Sequence, residues 1–297
     1  MTANRDLGRL PELLVAELVR TALLEDVGSG DVTSLATIPA EARSQARMVA
    51  REPMVVCGLA LACAAFRQCD PSLFVDFKCQ DGQKVERGEV LLEVEGSTRA
   101  ILSGERVALN FLQRLSGVAT MTAKYVQALE GTSAQLLDTR KTTPGWRILE
   151  KFAVRCGGGK NHRHGLYDMV LVKDNHLAAL AAEQPNAVTA AVRRARAAYP
   201  HLRVEIEADT LEQARQAAEA GADIVLLDNM SLEQLRMAVA SFKGRVQLEA
   251  SGGVTLDTIH AIGQTGVDFI SVGAITHSAR AVDIGLDFVE PTEGLQA

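Results

Sequence analysis

From about Gln135 onward the chain alternates short apolar strands with helical stretches. The strands read AQLLDTR, MVLVK, RVEIEA, DIVLLDN, VQLEASGG and DFISVGA; the intervening segments are TPGWRILEKFAVRCGG, AVTAAVRRARAAY, LEQARQAAEAG, LEQLRMAVASF and LDTIHAIGQTG. Strands this apolar need cover on both faces, and parallel neighbours need a helical crossover. The repeat therefore predicts a parallel sheet wrapped by helices, with right-handed connections. Six such strands can be read where a full barrel has eight. Their close spacing, and the lack of a dinucleotide glycine fingerprint, favour an incomplete α/β barrel over an open doubly wound sheet.

Polar residues gather at one end of this repeat. Arg140 and Lys141, Lys173, Glu207, Asp228, Ser251 and Gly273 each lie at or just past the C-terminal end of a strand, where barrel enzymes build their sites. Taken singly, each has an ordinary structural explanation: Asp228 can cap a helix and Glu207 can pair with a surface base. Their recurrence on one rim points to a site. The loops Ser251, Gly252, Gly253 and Val272, Gly273, Ala274 follow the last two strands, where glycines let backbone N–H groups approach a phosphate. Two carboxylates beside a phosphate, Glu207 and Asp228, suit a Mg²⁺ that keeps most of its waters. Arg140, Arg163 and Lys173, with His162 nearby, offer forks and point charges for carboxylates or a diphosphate. A Schiff base on Lys141 or Lys173 is the competing chemistry, and a transition metal on His162 and His164 a further one.

Charge supports a small anionic ligand. Between Arg140 and His176 stand eight Lys or Arg (Arg140, Lys141, Arg147, Lys151, Arg155, Lys160, Arg163, Lys173) against three acids (Glu150, Asp168, Asp174), although the whole chain carries a net charge of −6. A nucleic-acid binder would favour a basic domain and stacking platforms, and aromatics are only 4% here. No apolar run approaches a membrane span, and the N-terminus shows no signal-type core, so the cytoplasm is the default expectation. The five cysteines (Cys57, Cys63, Cys69, Cys79, Cys156) are odd in number and include no Cys-x-x-Cys pair, which predicts reduced thiols.

Ahead of the repeat, residues 10–24 read as a helix that runs into the loop EDVGSGDVTS, whose Asp26 and Asp31 are expected to be solvated. Residues 44–94 are strand-like and end in DGQKVERGEVLLEVEG, which looks like the hairpin of lipoyl-type modules. Ser103 is placed to cap the helix ERVALNFLQRLSG, which puts Arg106 in a first turn, where a cation is disfavoured. A role for Arg106 outside its helix, or a pairing with Glu105, both remain open from local sequence.

The segments DTRKTTPG, CGGGKNHRHGLYD, LVKDNH, VEIEAD, LLDN, EASGG and ISVGAITHSA resemble the quinolinate phosphoribosyltransferase family, the decarboxylating nicotinate-nucleotide pyrophosphorylases. The likeness extends from LLEDVGSGDVTS through SGERVALNFLQRLSGVAT to the C-terminal segment. It implies an N-terminal α/β sandwich domain over residues 1–116, joined by a C-terminal helix over 278–297, and an incomplete, seven-stranded α/β barrel over 117–277. It implies a homodimer, sometimes assembled further into a higher oligomer, in which sites borrow groups from the partner. It assigns Arg140, His162, Arg163 and Lys173 to the quinolinate carboxylates, with Arg106 arriving from the neighbouring subunit. Thr139, Lys141, Glu207, Asp228, Ser251, Gly252, Gly253, Ser271, Val272 and Gly273 fall to phosphoribosyl pyrophosphate and its Mg²⁺, with Lys141, Lys173, Glu207 and Asp228 catalytic. The implied products are nicotinate mononucleotide, CO₂ and pyrophosphate. A barrel lyase or a non-catalytic paralogue on the same rim are the alternatives.

Overall fold

A computed structural model describes residues 7–289. In chain order the first elements are α1 (Glu12–Asp26), α2 (Val32–Thr37), β1 (Arg43–Ala50), β2 (Met54–Val55), α3 (Leu59–Cys69), β3 (Phe74–Phe77), β4 (Lys84–Val85), β5 (Val90–Ser97) and α4 (Thr98–Ala128). Next come β6 (Gln135–Leu137), α5 (Arg147–Cys156), β7 (Val170–Val172), α6 (Asp174–Ala179), α7 (Ala187–Ala198), β8 (Val204–Ala208) and α8 (Leu211–Ala220). The series ends with β9 (Ile224–Asp228), α9 (Leu232–Phe242), β10 (Gln247–Ser251), α10 (Leu256–Gly263), β11 (Phe269–Ser271), α11 (Ala274–His277) and β12 (Ile284–Phe288). No helix among the described residues is long and apolar enough to cross a membrane.

Two compact units result. The first takes the described residues up to Met121, Phe152–Gly158 and those from Ala279 on. Its main sheet is antiparallel in the order β12-β1-β5-β3, and α1 packs on α3. Met48, Leu92 and Phe66 are wholly buried in it. Gly117 of α4 is required here, because a Cβ at that position would lie 2.0 Å from the Arg280 carbonyl oxygen. All five cysteines are free thiols.

Four local expectations change. The lipoyl-like hairpin does not form: β4 pairs with β2 and β5 lies between β1 and β3. Asp31 caps α2, accepting the Ser34 N–H at 3.0 Å, rather than standing solvated. Helix α4 begins at Thr98, so Ser103 does not cap it and Arg106 sits well inside it; the first-turn argument for Arg106 fails. Ser103 instead donates its hydroxyl to Asp31 at 3.3 Å. Finally, the C-terminal helix over 278–297 is replaced at Ile284–Phe288 by strand β12, paired antiparallel to β1; the remainder of that expectation from residue 290 lies outside the described residues. The alternation Ile284, Leu286, Phe288 against Gly285 and Asp287 has the two-residue period of a strand.

The second unit comprises Thr122–Lys151 and Gly159–Ser278. Its six parallel strands run in the order β6-β11-β10-β9-β8-β7. The seventh strand that the resemblance implied is reduced to one bridge. Lys160 donates its N–H to the Leu136 carbonyl at 2.8 Å, and the Asp138 N–H donates to Lys160 O at 3.1 Å. One sheet face carries Ile206, Val225, Leu227, Leu248 and Ile270, buried to 0%, and α8, α9 and α10 pack on these strands. On the other face the register places Glu207 and Glu249 against Leu226, and Ser251 against Asp228. Paired residues of a parallel ladder share a face, so Glu205, Glu207, Asp228, Glu249 and Ser251 all point the same way.

Candidate active site

Parallel strands end together, so the residues leaving them meet on one rim of the second unit. After β6 the chain delivers Asp138, Thr139, Arg140 and Lys141. Asp138 is wholly buried and accepts from Lys151 Nζ at 2.5 Å, Asn161 Nδ2 at 2.6 Å and the His162 N–H at 2.8 Å. Lys151 is equally buried and also donates to the His162 carbonyl at 2.9 Å. Burial pushes the Asp138 acid up and the Lys151 amine down, against the pull of each charge on the other. This pair ties α5 to the segment 160–163 and so sets where His162 and Arg163 stand. Neither was singled out from the sequence as a site residue: thirteen positions separate them, and each reads locally as one charge among many.

Arg140 and Arg163 come side by side. Burial and then the Arg140 charge lower the Arg163 guanidinium from its ordinary value. Arg140 Nε is buried with no hydrogen-bond partner. A buried donor left without an acceptor is costly, and an anionic ligand would satisfy it. Lys173, which caps α6 just past β7, is half exposed and donates to Glu207 Oε2 at 2.6 Å. Its nitrogen is committed to an ion pair, which weighs against the Schiff-base alternative. Asp228 lies at the end of β9, where burial, then Glu207 and Asp209, raise its pKa. Repelled carboxylates of this kind would gain from a cation, so Glu207 and Asp228 fit a Mg²⁺.

The glycine loops form a cavity of about 210 Å³ lined by Thr139, Lys141, Ser251–Val254, Ser271–Ala274 and His277. Gly252 has φ +95°, and a Cβ there would lie 2.1 Å from Asn229 Oδ1, so only glycine fits. The Thr276 hydroxyl donates to Lys141 O at 2.7 Å and fixes the approach of that lysine. His277 went unremarked in the sequence; a Cβ at Gly273 would come within 3.1 Å of its Nε2. A larger concavity of about 630 Å³ in the first unit is lined by residues of α1, α2, α3 and α4 and of the loops between them, with Arg20 and Arg99 as its cations. Of the residues expected at the site, Arg106 belongs to the first unit; it is exposed and forms no ion pair or hydrogen bond with the described residues, Glu105 included. The ligand-type groups gathered at His162 among the described residues are Glu205 and Glu249, and His164 is not one of them.

Two family models match in sequence order: the quinolinate phosphoribosyl transferase N-terminal domain over residues 31–116 and the C-terminal domain over 118–287. The chain belongs to the quinolinate phosphoribosyltransferase family. It is 41% identical over 285 residues to the probable nicotinate-nucleotide pyrophosphorylase (carboxylating) of Bacillus subtilis, covering 96% of both chains. It is 43% identical to the chloroplastic nicotinate-nucleotide pyrophosphorylase (carboxylating) of Arabidopsis thaliana, over 91% of this chain and 81% of that one. A solved nicotinate-nucleotide pyrophosphorylase from Francisella tularensis superposes with a TM-score of 0.90 at 40% identity, covering 97% of this chain and 100% of the other. The glycine-lined cavity and the cationic rim are both built from the chain's own residues.

Proposed function

We propose that this rim joins the ring nitrogen of quinolinate to the ribose C1 of phosphoribosyl pyrophosphate, releasing pyrophosphate and CO₂ and leaving nicotinate mononucleotide. The observation that carries the reading is the buried, unpartnered Arg140 Nε beside Arg163, on the same rim as a glycine cradle. Ser251–Gly253 and Ser271–Gly273, with Thr139, would hold the 5-phosphate of the donor. Lys141 stands at the mouth of that cradle, where the C1–O bond breaks and its electron pair leaves with the diphosphate. Glu207 and Asp228 would hold a Mg²⁺ that, when bound, neutralises charge on that leaving group. Arg140, Arg163 and Lys173 would grip the two quinolinate carboxylates, while Arg106 of a second subunit would complete the grip.

Once nitrogen is bonded to ribose the ring is a pyridinium. The C2–carboxylate bond can then break with its pair held beside the positive nitrogen, and C2 takes up a proton. No protein nucleophile is required. The grip on the 2-carboxylate must orient it without stabilising it beyond the transition state for its loss. We further place the enzyme in the cytoplasm, as a homodimer, in the de novo route to NAD.

The acceptor is the first test. Quinolinate turns over and nicotinate does not, because a site built for two carboxylates leaves charges unpaired around the mono-acid. Pyrophosphate release measured with each acceptor decides it, and equal rates would sink the reading. The second test separates the two halves of the rim. Asp228→Ala raises the Mg²⁺ and phosphoribosyl pyrophosphate requirements by about tenfold or more, while quinolinate affinity by calorimetry changes less. Glu207→Ala behaves less cleanly, since it also releases Lys173 from its 2.6 Å ion pair. A selective loss of quinolinate affinity in Asp228→Ala would show the carboxylates to be misplaced.

A further inference from the structure

Two cations on one face of α5 reach the same two loops. Lys151 joins Asp138 to the His162 carbonyl, and Arg147, one turn earlier on the same face, makes a second connection of the same kind. Arg147 Nε donates to the Thr142 hydroxyl at 3.1 Å and Nη2 to the Arg140 carbonyl at 3.4 Å, both on the loop that follows β6. Its Nη1 donates across to the His164 carbonyl at 3.0 Å, on the loop that carries Arg163. Each cation thus spans from one loop to the other, and the two stand along the helix like rungs of a ladder.

The rungs bracket both guanidiniums of the rim. Arg163 stands between His162, whose carbonyl accepts from Lys151, and His164, whose carbonyl accepts from Arg147 and whose N–H donates to Asp168 at 2.7 Å. Arg140 lies two residues past Asp138, which Lys151 holds, and its own carbonyl accepts from the Thr142 N–H at 3.0 Å as well as from Arg147. Backbone tied on both sides leaves the intervening Cα little room to swing. Arg147 opens α5, where the helix dipole disfavours a cation, and it is half buried. What it contributes therefore comes from the loops and not from its own helix. An arginine kept only for solubility would leave its N–H groups to solvent, whereas all three nitrogens of this guanidinium donate to loop oxygens. The residue type matters: a guanidinium sends N–H groups out of one rigid plane in several directions, while an ammonium is a point charge on a flexible stem.

We propose that Arg147 is a positioning residue for the acceptor half of the site: it fixes the separation of Arg140 and Arg163, and through that separation it selects an anion with two neighbouring carboxylates. That the anion is quinolinate rests on the function proposed above. Arg147 touches no substrate in this role. With both rungs in place the two guanidiniums are ordered before a ligand arrives, so little binding energy is spent on ordering them. Without Arg147 the loops stay joined through Lys151 alone and can hinge about it, and a displacement of about 1 Å at such a site costs up to about a hundredfold. The glycine loops after β10 and β11 lie outside its reach. Lys141 shares a loop with Arg140 but keeps its own tie, since the Thr276 hydroxyl donates to its carbonyl. Donor binding is therefore affected less than acceptor binding.

The test uses the full-length protein with Arg147→Lys, which keeps the charge but not the plane, and with Arg147→Ala. In both variants the KM for quinolinate rises by about tenfold to a hundredfold, whereas kcat and the KM for phosphoribosyl pyrophosphate move by less than about threefold. Amide hydrogen exchange without any substrate supplies a second readout. Residues 139–143 and 162–165 exchange faster in both variants, while strands β8, β9 and β10 keep wild-type protection. Should Arg147→Ala not fold, Arg147→Lys decides alone. The proposal is overturned if Arg147→Lys takes quinolinate like wild type, which would make the residue a source of charge only. Equal rises in the KM of both substrates would overturn it too, because Arg147 would then serve the whole rim. A raised quinolinate KM with unchanged exchange in the two loops would do the same, by making Arg147 a group that binds the ligand itself. If wild type fails to bind quinolinate while both loops loosen in the variants, the substrate reading falls and the positioning role stands.

Discussion

Arg106→Ala and Lys141→Ala, each inactive alone, regain activity when mixed under conditions that exchange subunits. On the proposed reading each lesion removes a charge from the transition-state surroundings, which is worth about a hundredfold to a thousandfold. Arg106 is an exposed arginine on α4 with no ion pair or hydrogen bond to the described residues, and it belongs to the first unit, whereas Lys141 lines the glycine-loop cavity of the second. If Arg106 serves a neighbouring subunit, a mixed dimer has one site bearing both lesions and one bearing neither. Random pairing makes half the dimers mixed, so recovery reaches about a quarter of wild type per total site. If Arg106 serves its own subunit, every site keeps a lesion and mixing restores nothing. Both variants must melt like wild type for the experiment to count, which their exposed positions favour.

Lys151→Met lowers the free energy of unfolding by about 3–5 kcal/mol, out of the 5–15 typical of a domain. The lysine is buried to 0%, and its removal leaves Asp138 as a buried carboxylate with only Asn161 and the His162 N–H to satisfy it. Urea unfolding measures the loss. The paired change Asp138→Asn with Lys151→Met recovers most of it, because no unpaired charge then remains in the interior. A loss below about 1 kcal/mol for Lys151→Met alone would mean that water or another group replaces the lysine, and the role given to this pair would fall.

The sequence showed most of the barrel because its strands are short apolar runs, and the chemistry gathers where those runs turn polar. Lys160 escaped because a strand reduced to one bridge, inside GGGKNHR, has no apolar period to read. The start of α4 was misplaced because Ser103 looks like a cap, while the preceding TRAIL carries no signal of its own. Rim residues such as Arg140, Lys173, Glu207 and Asp228 were visible one by one. The groups that hold them were not, since Asp138 and Lys151, or His162 with Glu205 and Glu249, become neighbours only when the sheet curls. One signal was present: VEIEA places two glutamates two apart in an apolar strand, hence on the same face, so a buried acid was already implied at Glu205.

Strand β12 gives the order of synthesis a meaning. β1 lies between β5 and β12, so the second neighbour of a strand made at residues 43–50 is not translated until residues 284–288. On the ribosome the second unit, complete by Ser278, can close while β1 still presents an open hydrogen-bonding edge. A chain stalled or clipped before Ile284 therefore keeps the residues of the cationic rim yet exposes a strand ready to pair with another copy, which makes the arrival of β12 the step that protects the nascent chain from aggregation.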